Sequence, residues 1–217
     1  MLTLNIQEDI DHYLEQSEYI DHQHPAIKSL ASQLMAQSLQ DERPTDVAVA
    51  HLSFNYVRDQ IKHTADFKID KITCKASDVL QLQTGYCYAK SHLLAALLRA
   101  NKIPAGLCYQ RLSIELDEQY CSTSQLPFCS HGLNAVYLND YGWYRIDPRG
   151  NKVGVNATFN PPHENLAFPI DDTGSNNGQI DFSEVHTKPL DEIINLLTNF
   201  NTYREVNLNL PDSRQQL

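Results

Sequence analysis

Apolar positions recur at three- and four-residue spacing through the first hundred residues, then in extended and partly alternating runs. The pattern predicts helices first and strands afterwards. Ile6, Ile10, Tyr13 and Leu14 predict a helix within residues 6–19. Pro25 suits the first turn of a second helix, whose apolar face is Ile27, Leu30, Leu34 and Met35. Pro44 and Thr45 open a third, running through Val47, Val49, Ala50, Leu52, Phe54, Val57 and Ile61. Ser77 or Asp78 caps a short fourth helix, Asp78 to Leu82. Gly85 then breaks the chain before the run Leu93, Leu94, Leu97 and Leu98, a helix that should stop near Asn101-Lys102 ahead of Pro104.

Beyond Pro104 the character changes. Leu107, Tyr109, Leu112, Ile114 and Leu116 read as a strand, Gln119 to Ser130 as a polar loop, and Leu133–Leu138 and Trp143–Ile146 as two strands. Asn139-Asp140-Tyr141-Gly142 joins those two strands as a hairpin turn. Residues 151–180 carry Asn, Gly and Pro with little periodicity and read as a long ordered loop; Pro189 to Phe200 reads as a last helix. Helices followed by antiparallel strands indicate an α+β class rather than a doubly wound parallel sheet. A single domain over 1–217 is expected, with a helical extension at 1–44, a core at 45–150 and a C-terminal wrap and helix at 151–217.

Composition narrows the function classes. A net charge of −10 with no Lys/Arg-rich run argues against a nucleic-acid partner, which needs clustered cations to displace counterions. The start of the chain, Met1 to Asp9, has neither the basic start nor the apolar core of a secretory signal. No apolar run approaches the roughly 20 residues that span a bilayer, so no membrane partner is expected. Five cysteines, Cys74, Cys87, Cys108, Cys121 and Cys129, form no Cys-x-x-Cys pair. Their odd number predicts reduced thiols and a cytoplasmic location. Cys121-x7-Cys129-x-His131 is too irregular for a metal site, and His22-Gln23-His24 reads as solvated surface.

The chemistry concentrates at Gly85-Tyr86-Cys87, which sets a thiol in the first turn of a partly buried helix. Unpaired N–H groups and the positive dipole end favour a thiolate there. A nucleophilic thiol needs a base, and the base needs an orienter. His131 stands at the head of one hairpin strand and Asp147 at the end of the other, so the hairpin brings them close. Side chains alternate along each strand. The two residues share a face only if the turn has an odd number of residues or the ladder a bulge. A bulge-free two-residue turn would point them apart. The backbone N–H of Cys87 is a natural oxyanion donor, and Gln81, Gln83, Tyr86 or the indole of Trp143 are candidates for a second.

These segments resemble the transglutaminase-like superfamily of papain-type cysteine enzymes, in the family's order. Ala76-Ser77-Asp78-Val79-Leu80, Gly85-Tyr86-Cys87 and Leu97-Leu98-Arg99-Ala100-Asn101-Lys102-Ile103-Pro104-Ala105 resemble its cysteine block. His131-Gly132-Leu133-Asn134-Ala135-Val136-Tyr137-Leu138 resembles its histidine block, and Gly142-Trp143-Tyr144-Arg145-Ile146-Asp147-Pro148 its aspartate block. Tyr56-Val57-Arg58-Asp59-Gln60-Ile61 resembles the helix that precedes them. The resemblance implies a Cys87–His131–Asp147 triad, no cofactor, no metal, and a peptide or amide substrate that is hydrolysed or transferred through a thioester. Leu133 stands where the family often has Trp, and Asn101 where it usually has Gly. The chain has no room for the extra β-domains and calcium sites of animal transglutaminases, which weakens protein cross-linking as the activity. A function of another class on the same fold is a non-catalytic binding or scaffold module.

Overall fold

A computed structural model describes residues 4–113, 128–169 and 184–211. In chain order the elements are β1 (Asn5–Ile6), a 3-10 helix (Ile10–Leu14), α1 (Pro25–Ser38), α2 (Thr45–Gln60), β2 (Lys62–His63), α3 (Ala76–Leu82), β3 (Thr84–Gly85) and α4 (Cys87–Ala100). The sheet strands β4 (Ala105–Ser113), β5 (Phe128–Leu138) and β6 (Gly142–Ile146) follow, then β7 (Glu184–Val185), α5 (Asp191–Asn199) and α6 (Tyr203–Leu208). The architecture is α+β. The main sheet is antiparallel in the order β4-β5-β6, while β1 pairs with β7 and β2 with β3 in two short parallel ladders.

Helix α4 is the axis of the molecule. From Cys87 to Arg99 every residue is buried, which suits a helix packed on all sides rather than a surface helix with one apolar stripe. Helices α1, α2 and α3 pack around it and the β4–β5 face closes over it. Burying α4 on all sides also buries polar groups, and the longest of them are answered by backbone. Arg99 donates to the carbonyls of Ala105, Glu15 and Thr187. Asn134 of β5 donates to Ser91 and Gly106 carbonyls at 2.9 and 3.2 Å, tying the sheet to α4. The helix ends in a Schellman arrangement: Ile103 N–H reaches Leu98 O and Lys102 N–H reaches Arg99 O, both at 3.0 Å. Lys102, at φ 62°, holds the left-handed position that glycine usually fills.

Several elements differ from the sequence reading. Residues 6–19 do not form one α-helix. Ile6 is drawn into the ladder with Val185, and only Ile10–Leu14 coils, burying Tyr13 with its hydroxyl 2.9 Å from Val185 O. An i, i+3, i+4 apolar spacing fits that single 3-10 turn as well as an α-helix. Helix α3 begins at Ala76 with Lys75 at the N-cap, so neither Ser77 nor Asp78 caps it. Strand β5 starts at Phe128, which makes Phe128–Ser130 strand rather than loop; residues 114–127 of the expected strand end and loop lie outside the described residues. The expected long loop is described over 151–169, where it is irregular and tied by bridges Lys152–Val155 and Thr158–Asn165. His22 is buried rather than solvated, and His24 accepts the Ala26 N–H through Nδ1 at the N-cap of α1. Helix α6 has no counterpart in the sequence reading.

Candidate active site

Local structure sets the thiol. Thr84–Gly85 pair with Lys62–His63, Tyr86 takes the extended N-cap conformation, and Cys87 becomes the first residue of α4. A side chain at 85 would stand 3.2 Å from Ala89 Cβ, so glycine lets this ladder lie against the helix. Gly132 plays the same part across the cleft. A Cβ there would come within 2.7 Å of Tyr88 Cδ1 and about 3 Å of the Tyr88 backbone. With glycine in place, the Gly132 N–H reaches the Cys87 sulfur at 3.5 Å.

The hairpin sets the other two groups. Leu138 pairs with Gly142, leaving a three-residue turn, Asn139 to Tyr141, closed by Tyr141 N–H to Leu138 O at 3.0 Å. Gly142 supplies the positive φ of 72° that returns the chain to β6. This is the odd length that a shared face requires. Extending the ladder one pair beyond Asn134–Ile146 puts Leu133 opposite Asp147. His131 and Asp147 therefore point the same way, and His131 Nε2 lies 2.8 Å from Asp147 Oδ2. The Cys87 thiol lies on the same pocket as the ring and helps raise the imidazole's pKa. With Nε2 taken by Asp147, Nδ1 is the nitrogen left for sulfur.

Burial opposes charge on His131, but Asp147 and Cys87 outweigh it and raise the imidazole to about 9. Burial likewise opposes the Asp147 carboxylate, yet His131, the Arg149 N–H and the Arg149 charge hold its pKa below the ordinary value. Asp147 accepts Arg149 N–H on Oδ1 and Ala167 N–H on Oδ2, each at 3.1 Å. Phe168 meets the His131 ring edge-on at 5.0 Å, and the Arg149 guanidinium lies over the same phenyl ring at 5.5 Å. Arg149 in turn grips Asp66 through both terminal nitrogens at 3.1 and 3.3 Å.

Cys87 and His131 open on a pocket of about 350 Å3 including its mouth, shared with His63, Arg149, Phe168 and Leu210 among others. Of the proposed second oxyanion donors, only Tyr86 lines it. The Tyr86 hydroxyl faces Tyr203 O and Asn207 Oδ1 at 2.8 and 2.9 Å. Gln81 is exposed, Gln83 donates to Leu80 O, and Trp143 stacks edge-on with Tyr13 and Tyr137 in a separate apolar cluster. Sequence reasoning missed His63, Arg149 and Phe168. The Asp-Pro-Arg step carries an Asx-turn signal that points to the Arg149 N–H; His63 and Phe168 reach the pocket by tertiary packing. The cysteine reading is corrected at one position. Cys129 is disulfide-bonded, with its partner outside the described residues, so the inference of a reducing compartment loses that support. Cys74, Cys87 and Cys108 are free. No helix among the described residues is long and apolar enough to cross a membrane.

A family model described as the transglutaminase-like superfamily matches residues 32–148. Among solved structures, the chain is similar to a candidate cysteine protease from Cytophaga hutchinsonii at 21% identity and TM-score 0.46, over 67% of this chain and 43% of that one. Red sea bream transglutaminase aligns at 13% identity and TM-score 0.44, over 59% and 27% of the two chains. The periplasmic domain of TgpA from Pseudomonas aeruginosa aligns at 16% identity and TM-score 0.43, over 65% and 48%. The match thus spans less than half of each of those chains. No curated protein matches.

Proposed function

The chain belongs to the transglutaminase-like superfamily, and on that premise we propose that it is a cysteine-dependent amide-bond hydrolase or acyl transferase working through Cys87, His131 and Asp147. The observation that carries this reading is the 2.8 Å contact from His131 Nε2 to a buried Asp147 carboxylate, at a pocket that His131 shares with the Cys87 thiol.

The chemistry follows from those positions. Cys87 sulfur attacks the carbonyl carbon of a peptide or amide, forming the S–C bond while its proton resides on His131. The N-terminal N–H groups of α4 carry the positive end of the helix dipole, so the Cys87 N–H is an oxyanion donor. Collapse of the tetrahedral species breaks the C–N bond, and His131 gives its proton to the departing amine. Asp147 fixes the imidazole tautomer and stabilises its charged form, as in serine triads. Water, deprotonated by His131, then adds to the thioester carbon and releases the acid with Cys87 restored. An amine in place of water gives transfer instead.

The test is a panel of acyl probes on wild type and Cys87→Ala, read by intact mass. A probe-sized acyl adduct on wild type and none on the variant is expected. No adduct from any probe, together with Cys87 alkylation that His131→Ala leaves unchanged, would show that the thiol is not activated and would leave a binding module on this fold.

A further inference from the structure

The groups proposed to do the chemistry lie within residues 32–148, but part of the pocket wall does not. Phe168, Asn207 and Leu210 come from the chain beyond that region. Resting on the reading of Cys87 as nucleophile, we propose that Leu210, fixed by α6, is a specificity-determining residue that selects an uncharged, apolar acyl side chain.

The wall is built rather than draped. A capping box fixes the start of α6: Thr202 Oγ1 accepts the Glu205 N–H and the Glu205 carboxylate accepts the Thr202 N–H. The Tyr203 N–H meets Asp70 Oδ1 at 3.2 Å. Val206 is fully buried in the main core. The hydroxyl of Tyr86, the residue before Cys87, faces Tyr203 O and Asn207 Oδ1. Past the helix, Pro211 O accepts the Ser130 N–H at 2.8 Å, one residue before His131. Leu210 is thus held between anchors on both sides and is only 8% exposed.

The lining chemistry gives the selection. Leu112, Phe168 and Leu210 supply apolar surface. The Arg149 charge is paired with Asp66 and covered by Phe168. His63 is kept neutral by burial and by the nearby Arg149 and Lys90 charges. A carboxylate or ammonium on the acyl group would lose water there, while the described lining charges, Arg149 and His131, already face Asp66 and Asp147.

Chloroacetamides of one warhead bearing isobutyl, carboxyethyl or aminoethyl arms test this. In each, Cys87 sulfur displaces chloride to form a thioether, and second-order rates are read by intact mass. Wild type should react at least tenfold faster with the isobutyl probe than with either charged one. Leu210→Lys should shrink the isobutyl-to-carboxyethyl ratio at least tenfold. Leu210→Ala, a milder change, should raise the rate of a cyclohexylmethyl probe relative to isobutyl. Ratios unmoved in both variants overturn the proposal while leaving the nucleophile standing. Failure of every acyl probe to acylate Cys87 overturns both.

Discussion

Replacing Asp147 with Asn changes one atom and tests most of the site. The carboxylate accepts three N–H donors: His131 Nε2 and Ala167 N on Oδ2, and Arg149 N on Oδ1. An amide turned either way sets its NH2 against at least one of them. The lost bond in a buried site costs about 1–3 kcal/mol of stability. The larger effect is on His131. Burial opposes its charge, and Asp147 is the leading group that overcomes it, so the imidazole should fall from about 9 to 6.5 or below. A pKa raised in the folded state contributes stability that is complete below the unfolded value of about 6.5 and lost as pH climbs through the folded one. A rise to about 9 corresponds to on the order of 3 kcal/mol across that window. Wild type minus Asp147→Asn stability should therefore shrink between pH 6.5 and 9. The direct assay is nitrogen NMR of labelled histidine, with His131 assigned from His131→Gln. Acylation of Cys87 near neutral pH should drop about 10²–10⁴-fold. His131 still titrating near pH 9 in Asp147→Asn would refute the reasoning, because among the described residues no other carboxylate hydrogen-bonds the ring.

Three further substitutions check separate parts of the argument. Gly132→Ala sets a methyl 2.7 Å from Tyr88 Cδ1 and should force β5 from α4, costing about 1–3 kcal/mol in chemical denaturation and slowing Cys87 acylation; a fully stable, fully active variant would contradict the packing. Lys102→Gly relieves a left-handed residue at φ 62° and should add about 0.5–1 kcal/mol, read as a melting temperature higher by about 2–4 °C; a lower one would deny the strain. Lys90 is buried among carbonyls and lowered to about 7, first by burial and then by Arg149. A lowered lysine binds fewer protons folded than unfolded between about 7 and 10.5, so wild-type stability relative to Lys90→Met should grow with pH there, and a flat difference would count against it.

What could be read from the chain was whatever neighbours in sequence decide. A glycine before a leucine-periodic run placed Cys87 at a helix start, and the hairpin brought His131 and Asp147 close, while whether they share a face waited on the three-residue turn that the structure shows. These depend on backbone periodicity and on residues 16 apart. The rest of the pocket depends on contacts between distant segments. The Tyr86 hydroxyl meets Asn207, 121 positions away, and Arg149 pairs with Asp66, 83 away. Such pairings leave no local pattern: α6 is six residues long and Leu210 follows it as an ordinary apolar residue before proline. Ile6 was misread for the same reason, since its partner Val185 lies far along the chain and decides strand over helix.

The pocket also holds two buried histidines in opposite states, and the difference lies in what their carboxylates are free to do. His131 faces Asp147 at 2.8 Å, and among the described residues that carboxylate's other hydrogen bonds come from two neutral backbone N–H groups, with the Arg149 charge acting on it without a direct ion pair. Its negative charge is left for the imidazolium, and the sulfur of Cys87 adds to it. His63 Nδ1 stands 3.7 Å from Asp66, whose charge is already shared between Arg149 at 3.1 Å and Lys152 at 3.5 Å. Burial then wins at His63, and the positive charges of Arg149 and Lys90 push the same way, so it stays neutral well below the usual range. Arg149 links the two outcomes. Its guanidinium takes up Asp66, while its backbone N–H binds Asp147 without cancelling a full charge. One residue thus pairs its charge with one carboxylate and leaves the other facing His131, so the two buried histidines shift in opposite directions.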